Sequence, residues 1–212
     1  MSIPTSFDPH GTLEASHEPP LPQGYTRLKC LVGKNKPNRT WIDTGFDAAG
    51  NVRWVLDMQF NGINQFIGAF PQFGGRFEVD IADNLSSYVV RIADSDYYYS
   101  KASGAVRRSV DIDLPNRRVA WSDAGPQEIT TVPTWRGTGL DILLFARAQY
   151  DGDVPIQTYD YKIYRSTIYI GGELVQDLVP ALDPNGIPCF FDHVTGEPFY
   201  NVGTAAFNYE TL

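Results

Sequence analysis

The sequence predicts an all-β chain, a two-sheet antiparallel β-sandwich with an extended N-terminal arm. Three observations carry that expectation. From Tyr25 onward, apolar residues alternate with period two or run without interruption, as half-buried or fully buried strands require. Turn signals punctuate these runs at hairpin spacing. Nowhere do apolar residues recur at i, i+3, i+4 and i+7 over three capped turns, so no helix of consequence is expected. The runs add up to about a dozen strands, and two packed sheets are the economical way to bury them.

The arm comes first. Residues 1–24 hold Pro4, Pro9, Pro19, Pro20 and Pro22 and show no periodic apolar pattern. Alone, such a segment should be disordered or polyproline-like. Ile3, Phe7 and Leu13, with Leu21, are its large apolar anchors. Packing on its own domain and docking on a partner are the two alternatives for this arm; the expectation is that Ile3, Phe7 and Leu13 contact another chain or a groove of a larger assembly rather than their own sandwich. The division is thus an anchoring arm over 1–24 and a sandwich over 25–212.

The strands follow in order. In "VRWVLDMQF", Val52, Trp54, Leu56, Met58 and Phe60 share one face. Phe77, Val79 and Ile81 do the same in "RFEVDIA", and "SYVVRIA", "SVDIDL", "RRVAWS" and "LDILLFARA" continue the series. Asp113-Leu114-Pro115-Asn116 reads as the turn joining Val106–Leu114 to Arg117–Ser122. Gly171-Gly172 reads as a two-residue hairpin loop between "YKIYRSTIYI" and "ELVQDLV", since two glycines supply the positive φ such loops demand. Trp54, Phe77, Val79, Ile81, Leu143 and Phe145 are the expected core.

Charge excludes several classes. The 212 residues carry a formal net charge of −8. Phosphate neutralisation needs clustered Lys and Arg, so no nucleic-acid partner is expected. Anionic lipid is disfavoured for the same reason, and no apolar run approaches the ~18–20 residues that span a bilayer, so no membrane is expected. The first residues lack the basic and apolar regions of a signal peptide, which implies synthesis and assembly in a cytoplasm. Cys30 and Cys189 are then expected reduced and buried. Asn38-Arg39-Thr40 and Asn84-Leu85-Ser86 read as chance glycosylation matches.

The closing stretch carries a resemblance. "DYKIYRSTIYIGGELVQDLVPALDPNGIPCFFDHVTGEPFYNVGT" resembles the C-terminal signature of concanavalin A-like (laminin-G-like) sandwich domains, common in virion proteins of tailed bacteriophages and in gut bacterial surface proteins. The matching pieces are Lys162-Ile163-Tyr164, Leu174 to Pro180, Pro188 to Asp192 and Gly196 to Asn201. Trp41-Ile42-Asp43-Thr44-Gly45 is similar to the family's "YIDTG" strand, and "LLFARAQYDG" to its "LFAR" strand. The similarity spans roughly Tyr25 to Phe207, most specifically at its two ends. Pro188-Cys189 stands where a glycine is usual, and the arm has no counterpart. The resemblance implies a jelly-roll sandwich whose C-terminal hairpin closes the fold as scaffold, with Phe190, Phe191, Phe199 and Tyr200 offering aromatic area for burial.

It also frames the chemistry. Glycosidases of this superfold carry Glu-x-Asp-x-x-Glu on one strand, with two carboxyl groups about 5–5.5 Å apart for retaining hydrolysis. Glu78-Val79-Asp80-Ile81-Ala82-Asp83 is a near miss. Glu78 and Asp80 share a face, but Asp83 is one methylene short and opens a turn. The blander alternative is a solvent-facing strand edge. His10, His17 and His193 lie in the arm or a turn, which disfavours a Ser-His-Asp triad, and no Cys/His cluster has zinc spacing. Asp94-Ser95-Asp96 and Asp151-Gly152-Asp153 could contribute to calcium sites, though each lacks further ligands in its own loop. No other cofactor or metal is expected. Glycan recognition pairs aromatic faces with polar groups. Tyr97, Tyr98 and Tyr99 in one run, and Trp135-Arg136 in another, are the candidates, set against core or subunit-interface aromatics.

The expectation is therefore a non-enzymatic virion structural protein of a bacteriophage, a capsid decoration or head fibre, or a tail fibre or baseplate component. It would bind other virion proteins through its arm, form homo-oligomers, and display a surface for host glycans. The competing class is a glycoside hydrolase using Glu78 and Asp83. A third is a bacterial surface adhesin, disfavoured by the missing signal peptide.

Overall fold

The computed structural model describes residues 19–34, 39–47, 50–60, 66–70, 76–81, 88–93, 95–99, 106–130, 140–149, 157–158 and 161–212, with backbone alone at 66, 70, 76, 81, 93, 99, 147–149 and 157–158. Ile3, Phe7, Leu13, Asp83, Trp135 and Arg136 lie outside the described residues, as does the Tyr99 side chain.

Among the described residues there is no helix. The strands in chain order are β1 (Thr26–Val32), β2 (Ile42–Asp47), β3 (Val52–Gln59), β4 (Phe66–Phe70), β5 (Arg76–Ile81), β6 (Tyr88–Ala93), β7 (Ser95–Tyr99), β8 (Arg108–Asp113), β9 (Arg118–Trp121), β10 (Ala124–Glu128), β11 (Asp141–Leu144), β12 (Ala146–Gln149), β13 (Gln157–Thr158), β14 (Lys162–Ile170), β15 (Glu173–Leu182), β16 (Pro188–Asp192), β17 (Pro198–Phe199) and β18 (Asn208–Thr211). They form a ten-stranded sheet, β10-β9-β8-β3-β14-β1-β15-β16-β17 with β18 on β1, and an eight-stranded sheet, β13-β12-β4-β5-β6-β7 with β11 joining β2 to β4. Pairing is antiparallel except between β4 and β12. The result is a two-sheet sandwich compatible with a jelly roll.

The core lies between the inner faces. Val52, Trp54, Leu56, Met58 and Phe60 are all buried there, as their alternation requires, and Phe77 and Val79 meet them from the smaller sheet. Trp54 lies 5.7 Å from Phe77, ring centre to ring centre, across the interface. The Trp54 Nε1–H donates to Ser166 Oγ at 3.0 Å, so the buried indole keeps a partner. The hairpin turns form where the sequence places them. Gly171 and Gly172 take φ of 60° and 87°, the two positive values of a type I′ loop.

One expected strand is broken. "LDILLFARA" does not run straight, because Phe145 takes a left-handed φ of 65° and divides it into β11 and β12. Ile142 and Leu144 face the core, whereas Leu143 is buried in a small separate cluster with Trp41 and Ala146. The Phe145 ring holds the kink in place, 4.9 Å from Phe207, 5.3 Å from Tyr161 and 6.2 Å from Phe190. Packing outweighs the local preference of an aromatic residue for negative φ.

The C-terminal hairpins interlock with the start of the sandwich. Phe190 enters the core, while Phe191 on the other face of β16 joins Val179, Ala181 and Cys189, with Leu21 and Tyr25 packed against them. The end of the proline-rich segment, at Leu21, and Tyr25 just after it therefore lie on the outer face of the larger sheet. Tyr200 departs from its expected burial: it is 42% exposed. Its hydroxyl instead donates to Asp183 Oδ2 at 2.8 Å, and Asp183 Oδ1 accepts the N–H groups of Asn185 and Ile187 at 2.8 Å each, closing the Asp-Pro-Asn-Gly turn. Asp192 does the same for the next turn, accepting from Asp177 N at 2.8 Å, Val194 N at 3.1 Å and Thr195 Oγ1 at 2.9 Å.

Candidate functional site

Strand alternation on β5 sends Phe77 and Val79 into the core and Glu78 and Asp80 to the outer face of the smaller sheet. That face was expected to be a solvent edge. It is not: Glu78 is 0% and Asp80 2% exposed. Register explains the pairing. Glu78 lies opposite Arg91 on β6, and Arg91 lies opposite Asp96 on β7. The Arg91 guanidinium reaches Asp80 at 3.0 Å, Glu78 at 3.5 Å and Asp96 at 3.6 Å. On its other side Glu78 faces Gly68 of β4. Gly68 has a φ of 128°, and a Cβ there would sit 2.2 Å from the Phe77 carbonyl oxygen. The close approach of β4 to β5 thus admits no side chain.

The tyrosine run flanks this cluster. β7 is extended, so its tyrosines alternate. Tyr98 is 53% exposed, and its hydroxyl donates to Asp96 Oδ2 at 3.1 Å. Tyr97 turns inward and belongs to the main core; this corrects its reading as a glycan contact, since a buried ring has no face left for a sugar. The Gln127 side chain donates to the Tyr98 carbonyl oxygen at 2.8 Å, joining β10 of one sheet to β7 of the other.

The arrangement binds charge rather than displaying it. A hydrolytic carboxyl pair must reach the glycosidic oxygen and the anomeric carbon. Glu78 and Asp80 are buried on that face and clamped by one guanidinium. No group of three or more His, Cys, Asp or Glu able to hold a metal occurs among the described residues. Of the expected calcium pairs, Asp96 is engaged by Arg91 and Tyr98, and Asp151-Gly152-Asp153 lies outside the described residues.

The larger sheet carries a second built surface. Across its outer face the register sets Arg118, Asp113, Arg53 and Tyr169 side by side, then Asp111, Val55, Thr167 and Asp177, then Ser109, Asp57 and Arg165. The aspartates are buried and the arginines lie over them. Arg53 binds Asp111 through two parallel hydrogen bonds of 2.9 and 3.0 Å, and Arg118 adds a third at 2.8 Å. Arg165 grips Asp177 at 2.7 and 2.8 Å. Arg107 binds Asp57 at 2.5–3.2 Å and lies 4.0 Å over the Tyr164 ring. Hydrogen bonds to these carboxylates raise the pKa of Arg53 and Arg107, and burial pushes the Tyr164 hydroxyl up to about 12. Sequence reasoning passed over this face, yet a signal was present. The Asp111-x-Asp113 spacing leads into a turn that returns Arg118 opposite Asp113.

A third acidic group sits on β2 and β11, where Asp141 pairs with Asp47 in register. Burial, then the neighbouring Asp43, raises the Asp141 pKa. Cys30 and Cys189 are both free and buried, and burial pushes their thiols up to about 11 and about 12.

No protein-family model, curated protein or solved structure matches the chain.

Proposed function

We infer that the chain is a non-enzymatic structural component of a bacteriophage virion, a lectin-like sandwich displayed on an N-terminal anchoring arm for contact with host-surface glycans. The observation that carries the reading is the burial of Glu78 and Asp80 beneath Arg91. Glu78, a carboxylate the hydrolase alternative would need, is held with Asp80 and Asp96 in a brace across β5, β6 and β7. The resemblance of both ends of the sandwich to laminin-G-like virion domains gives the class, and the packing of Leu21 and Tyr25 on the outer face gives the arm a fixed root. Exposed Tyr98 offers an aromatic face for a sugar.

The test is particle incorporation. Deleting residues 1–18 leaves Leu21 and Tyr25 in place, so the sandwich should melt within about 2 °C of the full chain, a difference below about 1 kcal/mol. The truncated chain should be missing from purified virions that incorporate the full chain. Normal incorporation of the truncated chain would overturn the anchoring role, and absence of the full chain from virions would overturn the reading altogether.

A further inference from the structure

We propose that the outer face of the ten-stranded sheet binds an acidic oligosaccharide, with sugar carboxylates received by the Arg53–Arg118 pair at one end and by Arg107 at the other. The proposal deepens the display reading and rests on it.

The geometry begins with the buried aspartates. Arg53 and Arg118 both donate from Nη2 to the same Asp111 oxygen, at 3.0 and 2.8 Å, so the two guanidiniums converge. Arg107 holds Asp57 through Nε and Nη2. In all three, the Nη1 nitrogen has no hydrogen-bond partner among the described residues. Those arginine side chains are 36–54% exposed, whereas the side chains of Asp57, Asp111 and Asp113 are under 10% exposed. The solvent side of this face therefore offers N–H donors, while the acceptors are turned inward.

A surface of fixed donors suits a ligand rich in acceptors. A guanidinium fork already held by a carboxylate and stacked on a tyrosine loses little further freedom on binding. Arg53 lies 5.1 Å from the Tyr169 ring centre, and Arg107 lies 4.0 Å over Tyr164. The aspartates that hold the two ends, Asp111 and Asp57, stand two register steps apart along β8 and β3, about 7 Å at the usual strand rise. That spacing suits carboxylates on nearby sugars of one chain.

Other partners fit less well. Arg53, Arg107, Arg118 and Arg165 lie against Asp57, Asp111, Asp113 and Asp177, so this cluster is neutral on a chain of net charge −8; nucleic acid needs an excess of positive charge. A protein interface needs an apolar centre, yet Leu174 is the only large exposed hydrophobic on β3, β8, β9, β14 or β15.

Titration calorimetry of the full chain with an oligogalacturonate and its methyl ester tests the proposal. The acid form should bind and the ester should not. Arg118→Gln and Arg107→Gln should each weaken binding about tenfold or more, the loss of one charge-assisted contact. If either variant melts far below the wild type, Arg118→Lys replaces it, keeping charge while losing the fork, and should also weaken binding. No binding of the acid form, equal binding of the ester, undiminished binding by the variants, or equally tight binding of polyglutamate would each overturn the proposal. Its failure leaves the anchoring role untouched, since that is read by incorporation of the chain lacking residues 1–18.

Discussion

Asn201 accepts the backbone N–H of Trp41 at 2.8 Å across 160 positions of sequence. The same oxygen accepts Gly203 N at 2.9 Å, and the amide nitrogen donates to the Ala205 carbonyl. One side chain thus ties the closing loop to the strand that resembles the family's "YIDTG" run. Asn201→Ala removes all three bonds and should lower stability by about 2–3 kcal/mol, read by urea unfolding. Asn201→Asp keeps the acceptor and should lose less. Gly203→Ala should be at least as damaging as Asn201→Ala, because its Cβ would sit 2.2 Å from the Arg39 carbonyl oxygen. A neutral Gly203→Ala would contradict the described loop.

Arg91 should matter for folding and not for turnover. Arg91→Ala leaves Glu78 and Asp80 buried without that cation, and should cost about 3–5 kcal/mol. Glu78→Gln keeps the shape and should cost less. Neither the wild type nor Glu78→Gln should release reducing sugar from a panel of β-glucans. Turnover by the wild type that Glu78→Gln abolishes would establish the glycosidase instead.

The left-handed residues give an inverted substitution rule. In an ordinary strand glycine is worse than alanine. At Phe145, with φ of 65°, both Phe145→Ala and Phe145→Gly should lose about 3–5 kcal/mol of core packing. Glycine should nevertheless be the better of the two by roughly 1 kcal/mol, because alanine keeps the steric penalty. At exposed Arg117, with φ of 52° in the β8–β9 turn, Arg117→Gly should be neutral or stabilising. Thermal melts of the three variants decide it.

Stability should fall at alkaline pH. Burial raises Cys30 from 9.0 to about 11 and Cys189 from 9.0 to about 12. Burial likewise raises Tyr164 from 10.0 to about 12. Groups whose folded values lie above their unfolded ones contribute stability that is intact below the unfolded value and lost as pH rises through the folded one. The melting temperature should therefore hold up to about pH 9 on this account and drop between about pH 9 and 12. Neither thiol should react with a disulfide reagent in the native protein at pH 8; rapid native labelling of either would refute its burial.

Much of this was legible in the sequence because burial follows alternation. Val52 to Phe60 and Phe77 with Val79 took the faces their spacing assigned, and the Gly171-Gly172 and Asp113–Asn116 turns formed where their residues require. The rest depended on partners that only folding brings together. The kink at Phe145 rests on Tyr161, Phe190 and Phe207, all remote in sequence. Burial of Glu78 and Asp80 rests on Arg91 across one register step, whereas an isolated reading of two acids on a strand favours exposure. Tyr97 and Tyr98 look alike in the run, and only the orientation of β7 separates the core ring from the displayed one.

The sheet rims carry a consequence for crowding. β17 and β13 are only two residues long. β10 contains Pro126 and an irregular register, and the Tyr98 carbonyl on β7 is bonded by Gln127. Each of these four rim strands is short, interrupted or tied to the opposite layer, features that blunt edge-to-edge joining. Copies of the chain brought close together can therefore stay separate bodies instead of zipping into a continuous ribbon.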